Sequence, residues 1–177
     1  MRPIFRLFRG GGSLPERVPA AKIALAGLGG FLTIAAVAGL SQASGMLLIL
    51  GSFGASCVLI FGFPQSPLSQ PRNIIGGHFL SSLVGLTVLT ACGVHWWSMG
   101  LAVGSAIALM LVTRTVHPPA GSNPVIVMLA LPGWDFLLTP TLLGAVLLTV
   151  LGVLFHSLVC GVAYPAYWLG KPAPRQP

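Results

Sequence analysis

The stretch VTRTVHPPAGSNPVIVMLAL, residues 112–131, decides how this chain folds. An apolar helix carrying Arg114 runs into His117-Pro118-Pro119, and the chain then restarts as a short apolar run. Proline has no N–H to donate, and Pro119 disfavours helical geometry at Pro118, so the helix ends here. The run over 124–131 has eight residues before Pro132-Gly133 stops it. At ~1.5 Å per residue that is about half of a bilayer core, so the pattern predicts a helix broken at membrane depth. Hydrocarbon does not tolerate the polar backbone groups of such a break unless protein or a watery cavity covers them, which makes it the first candidate for a site.

Composition agrees with a lipid solvent. Of 177 residues 55% are hydrophobic and 6% charged, with a mean hydropathy of +0.92, whereas soluble domains carry about a quarter charged residues. The net charge of +7 comes from nine basic residues scattered at segment ends, not from one patch, which argues against nucleic-acid binding. Cys57, Cys92 and Cys160 sit singly in apolar runs without metal-ligand spacing and read as small core residues. No metal or other cofactor is expected.

Working outward, residues 1–22 hold Arg2, Arg6, Arg9, Arg17 and Lys22 against Glu16, a basic segment at a cytoplasmic membrane surface, retained because no small-residue cleavage site follows the first apolar run. Residues 23–163 form the transmembrane domain, and 164–177 a cytoplasmic tail. Spans are expected at 23–40, at 46–63 with a break at 51–54, at 74–93, at 99–116 and at 141–163, with the short run after His117 as a further crossing. The fold class is therefore all-α membrane protein, with about six membrane-embedded helices, two of them broken or short. Trp96 and Trp97 mark an interface. With the N-terminus cytoplasmic and the short run counted as a crossing, every Lys and Arg falls on the cytoplasmic side, as the positive-inside rule requires. A re-entrant short run would instead send Lys171 and Arg175 outside.

Six crossings divide into three and three, which implies an inverted repeat. GASCVLIF (54–61) lies over GSNPVIVM (121–128), each a glycine, small residues and an aliphatic half-helix. Two half-helices entering from opposite faces bring their N-termini, near Gly54 and Gly121, together at the bilayer midplane. Free N–H groups and a partial positive charge there suit an anion, and broken helices of inverted repeats are a recurrent transporter device. The candidate substrate-binding set is Gly51, Ser52, Phe53, Gly54, Ala55 and Ser56 on one side. On the other it is Arg114, His117, Pro118, Pro119, Gly121, Ser122 and Asn123, with Arg72, Asn73 and His78 supporting. No Asp or Glu lies inside a span, the wrong balance for a cation path. Arg114 sits where either snorkelling or substrate contact fits, Arg72 where it caps a neighbouring helix end or meets lipid phosphate. His117 serves substrate or merely satisfies the carbonyls of the break. His78 and His156 read as lone packed histidines with one hydrogen bond each, and His95 as interfacial.

At these residues the chain resembles the HPP family of integral membrane proteins, named for the motif His117-Pro118-Pro119. The likeness extends over GSFGAS (51–56), SPLSQPRNIIGGH (66–78), TRTVHPPAG (113–121) and GWDFLLTP (133–140). The family is usually described with about four membrane helices. Some members resemble nitrite transporters of chloroplast envelopes and cyanobacterial membranes, which implies a small-anion carrier, and others carry C-terminal CBS domains. Asn123-Pro124 departs from the small residues expected of relatives. The expected function is thus a transporter or channel for a nitrite- or nitrate-like anion in a bacterial inner membrane, working as a homo-oligomer in the lipid bilayer. The alternative is a non-transporting membrane subunit or sensor that partners another protein. An enzyme is not expected, since paired carboxylates and a supported Ser/His arrangement are missing.

Overall fold

A computed structural model describes residues 12–169, all helix and connection among the described residues. Helix α1 (Ala20–Ser44) is followed by the short α2 (Ser52–Gly62), α3 (Pro71–Cys92), α4 (Trp96–Thr113), the short α5 (Asn123–Ala130) and α6 (Leu143–Phe155). A 3-10 turn at Pro118–Ser122 leads into α5. Another, Trp134–Leu137, and a kinked segment, Leu138–Leu142, lead into α6, which continues to Cys160. Four stretches are long and apolar enough to cross a membrane: Ala20–Ser44, Pro71–Cys92, Trp96–Thr113 and Trp134–Cys160.

Three expected spans stand within three or four residues of their predicted ends. The second does not. Gly45, in the left-handed region at φ 70°, stops α1, and residues 46–50 leave helical geometry. The Ser41 hydroxyl donates to the Met46 carbonyl at 2.6 Å and accepts from the Leu48 N–H at 3.2 Å, which replaces bonds a helix would have made. Residues 51–54 are accordingly the start of α2, not a break within it. Of the basic segment, residues 1–11 lie outside the described part, and Gly12–Pro19 is exposed and non-helical.

Helix α3 is the central element, packed on α4, α5 and α6, while α1 lies against α2 and α6. Gly77 and Gly85 are what let the chain break sit directly on α3. A Cβ at Gly77 would stand 2.8 Å from the His117 Cβ and 2.9 Å from the Thr115 carbonyl oxygen, and one at Gly85 would stand 2.9 Å from the Pro124 Cα. Pro71 opens α3 at a position where its missing N–H costs nothing.

The chain after α6 is held to the bundle as far as Leu169. Tyr164, 5% exposed, donates its hydroxyl to the Ser69 carbonyl at 2.7 Å, Gln65 Nε2 donates to the Ala163 carbonyl at 2.8 Å, and Gln70 Oε1 accepts from the Ala166 N–H at 2.8 Å. Arg72 joins three parts of this end of the bundle. From the first turn of α3 it donates to the Thr113 carbonyl, at the end of α4, at 2.9 Å, and to the Leu169 carbonyl at 3.1 Å. Of its two anticipated roles the helix cap is the observed one, a cation on the unpaired carbonyls of a C-terminus. Since hydrogen bonds from charged donors contribute about 1.5–3 kcal/mol, Arg72→Ala is expected to lower stability by roughly 2 kcal/mol. Arg72→Lys, with no planar fork to hold both carbonyls, should recover less than half of it. Thermal unfolding in detergent, followed by tryptophan fluorescence, measures both, and an unchanged midpoint for the alanine variant would refute the capping role.

Candidate functional site

The two short helices meet at their first residues. Ser52, at the start of α2, donates its hydroxyl to Asn123 Oδ1, at the start of α5, at 2.9 Å. The approach expected for Gly54 and Gly121 is therefore made by Ser52 and Asn123. Gly54 instead lines an apolar lateral groove with Gly27, Gly30 and Phe31 of α1, Gly51 and Ala55 are exposed, and Gly121 is half-buried. The free backbone donors expected at the second tip are also not there. Pro118 and Pro119 have no N–H, the Ala120 N–H donates to the His117 carbonyl at 2.9 Å, and the Asn123 N–H donates to the Ala120 carbonyl. The 3-10 turn consumes them, and side chains supply the polar surface.

Those side chains form one continuous buried network. His117 Nδ1 lies 2.8 Å from the Leu68 carbonyl oxygen, and its Nε2 lies 2.8 Å from Ser56 Oγ. Ser56 Oγ lies 3.0 Å from His78 Nε2, and His78 Nδ1 lies 3.1 Å from Asn123 Nδ2. Asn123 Nδ2 also donates to Ser82 Oγ at 2.9 Å, where the Thr141 hydroxyl donates as well at 3.0 Å. His78, His117, Ser56, Asn123, Ser82 and Thr141 are all fully buried. Phe53, also fully buried, stands edge-on to the His78 ring with centroids 5.1 Å apart, and the His78 and His117 rings are themselves 5.1 Å apart.

The partners fix the proton positions. A carbonyl only accepts, so His117 carries its proton on Nδ1 and offers Nε2 as acceptor. An amide N–H only donates, so His78 accepts at Nδ1 and carries its proton on Nε2. Ser56 then accepts from His78 and donates to His117. The result is a one-way chain of neutral groups, from Asn123 through His78, Ser56 and His117 to Leu68, in which every hydrogen has an acceptor.

The remaining candidates fall around this network. Asn73 Nδ2 donates to the Val116 carbonyl at 2.9 Å and so holds the break against α3. Pro119 is buried, Pro118 exposed, and Ser122, also exposed, bonds back to the Pro119 carbonyl at 2.8 Å. Arg114 is exposed at the C-terminal cap of α4, in the left-handed region at φ 57°. His78 is no lone histidine, and His117 does more than satisfy a carbonyl: the fold places Ser56 between them, at spacings of 22 and 61 residues that the sequence gives no reason to join. His156 keeps the predicted single bond, Nε2 to the Ile60 carbonyl at 2.9 Å, and its Nδ1 is the one buried side-chain polar atom without a partner among the described residues. His95 stacks on Trp97 beside the exposed Trp96.

Sequence reading missed Ser81, Ser82, Thr141 and the Leu68 carbonyl. Ser81 and Ser82 had a signal, since they lie three and four residues beyond His78 and share its helix face. Ser81 donates to the Ala120 carbonyl at 2.6 Å. Thr141 and Leu68 had none.

These features define a helical integral membrane protein whose bundle core is polar where two short helices meet. The chain matches the HPP transmembrane region over residues 15–165 and belongs to that family. It is similar to two transmembrane proteins of Dictyostelium discoideum. One is 37% identical over 131 residues, covering 70% of this chain and 46% of that protein. The other is 31% identical over 176 residues, covering 93% and 57%. The chain spans about half the length of the curated relatives it matches. No solved structure matches it.

Proposed function

We propose that this protein moves a small inorganic anion of the nitrite or nitrate class across the membrane, past the contact between α2 and α5. The observation that carries the reading is the Ser52–Asn123 contact and the buried network behind it. A bundle in hydrocarbon gains nothing from an uncovered polar core, and intramembrane polar clusters mark substrate and ion paths. The donors are hydroxyl, amide and imidazole groups with no carboxylate among them, while Glu16 and Asp135 are exposed. These donors are committed to one another in the closed form, and parting α2 from α5 would turn them to an anion with no carboxylate to repel it. The element order, long, short and long in each half, supports an inverted repeat.

The orientation proposed is with both termini cytoplasmic. The starts of α1 and α3, the end of α4 and the segment after α6 gather at one end, where Lys22, Arg72 and Arg114 also lie. A reporter fused to the C-terminus that signals from outside would overturn this. Helix α1 has only 17% of its apolar window buried, which leaves a face for a second copy, and a homo-oligomer is proposed, to be tested by cross-linking in native membranes.

Purified protein in liposomes with an anion-sensitive probe tests the transport itself. Saturable nitrate or nitrite flux above protein-free liposomes is the expected result. Rates equal to empty liposomes for all small anions would remove the transport reading and favour a non-transporting subunit.

A further inference from the structure

We propose that the His78–Ser56–His117 cluster takes up one proton together with each anion, so that the protein is an anion–proton symporter. The inference rests on the transport reading above and adds its coupling ion. A small anion entering a low-dielectric core needs a counter-charge. The described core holds no fixed one. Arg72 is spent on the Thr113 and Leu169 carbonyls, and Arg114 is exposed. The two imidazoles are what remains at the meeting of the short helices.

The hydrogen-bond geometry accommodates that proton with the turn of one hydroxyl. In the neutral chain Ser56 donates to His117 Nε2, but the Ser52 carbonyl oxygen also lies 3.2 Å from Ser56 Oγ. When the Ser56 O–H swings to that carbonyl, its oxygen is free to accept from both rings. An arriving proton then forms an N–H bond at His117 Nε2, directed at Ser56 Oγ, while His117 Nδ1 keeps the Leu68 carbonyl and His78 Nε2 keeps Ser56. Every donor is again satisfied and the cluster carries a single positive charge. With ring centroids 5.1 Å apart, a second proton is opposed by the first, which sets the load at one. On the far side the N–H bond breaks and the proton leaves with the anion, so no net charge moves and the neutral chain is restored.

No other titratable or charged side chain bonds to the pair. On α2, Cys57 packs towards Gly30 of α1. On α3, Arg72 is engaged as above. From α5 comes Asn123, which bonds His78; Thr141 bonds Ser82, Thr115 bonds Thr113, and after α6 Tyr164 is bonded to the Ser69 carbonyl and Tyr167 to Asn73 and Pro67. His156 bonds the Ile60 carbonyl through Nε2 and leaves Nδ1 without a partner, but its ring lies against Phe61 and Tyr164 and bonds to neither member of the pair.

The test uses the full chain in liposomes loaded with a pH-sensitive dye and given an inward gradient of potassium nitrate. Nitrate is chosen because nitrite leaks through lipid as its neutral acid. Coupling predicts internal acidification in step with nitrate entry, about one proton per nitrate, and a rate unchanged when valinomycin sets the membrane potential. Saturable nitrate entry without acidification, at a rate that follows the potential, overturns the symport and leaves transport standing. No nitrate entry above empty liposomes overturns both. His117→Gln, which cannot take the proton, should drop the proton-to-nitrate ratio to near zero and flatten the pH profile of flux. An unchanged ratio overturns the assignment. Independently of that variant's folding, wild-type protein in weakly buffered detergent should take up about one proton per chain when nitrate is added, and no uptake overturns the proposal.

Discussion

Asn123→Leu is expected to abolish nitrate flux and to lower the stability of the purified protein by about 2–5 kcal/mol, because it orphans three buried groups on two elements at once. The Ser52 hydroxyl on α2 loses its acceptor, and His78 Nδ1 and Ser82 Oγ on α3 lose their shared amide donor, Asn123 Nδ2 on α5. Each orphaned buried group costs about 1–3 kcal/mol, offset in part because Thr141 still donates to Ser82. Leucine is close to asparagine in size, so the loss comes from polarity and not from a cavity. Asn123 also fixes the tautomer of His78, and without it the relay to Ser56 loses its direction. Tryptophan fluorescence melting and liposome flux read the two effects separately. Wild-type flux with a wild-type melting midpoint would show that the contact between α2 and α5 is dispensable.

Gly144→Leu should prevent accumulation of folded protein, through packing at a point remote in sequence. A Cβ on Gly144 would collide with the Leu48 carbonyl oxygen and stand 2.6 Å from the Phe53 ring. Backbone cannot move aside as the tip of a flexible chain would. Phe53 is fully buried with its edge against His78, so the strain passes into the polar cluster. Overpacking by single methylenes costs about 1–3 kcal/mol, and a whole leucine side chain here is expected to cost ~3 kcal/mol or more. Gly54→Ala is the comparison, since nothing lies within 4 Å of its Cβ position, and a change under about 0.5 kcal/mol is expected. Size-exclusion yield of monodisperse protein measures both. Equal yields for the two variants would mean that α6 does not pack on the 46–50 segment as described.

The elements with strong local signals were legible. Residues 20–44, 71–92 and 96–113 are long apolar runs, the first two with ends written in glycine and proline, and the His117-Pro118-Pro119 break admits no continuous helix. The start of α2 was not legible, because 46–50 is as apolar as a helix. What turns it aside is the Ser41 hydroxyl, a bond that composition does not register. The docked C-terminal segment was hidden likewise, its anchors lying 95 to 98 residues away.

Within the site, the sequence placed Ser52, Ser56, His117 and Asn123 among its candidates but had no means of joining them. By itself it determined the solvent, the apolar helices, the chain break and the absence of acids from the spans, since each follows from residue type and local backbone restriction. Only the tertiary structure decided that Ser56 sits between two histidines, that Asn123 closes on Ser52, and that Arg72 ties α4 to the chain after α6. Hydrogen bonds between residues 22 to 97 positions apart depend on how the helices pack, and packing is a property of the whole bundle.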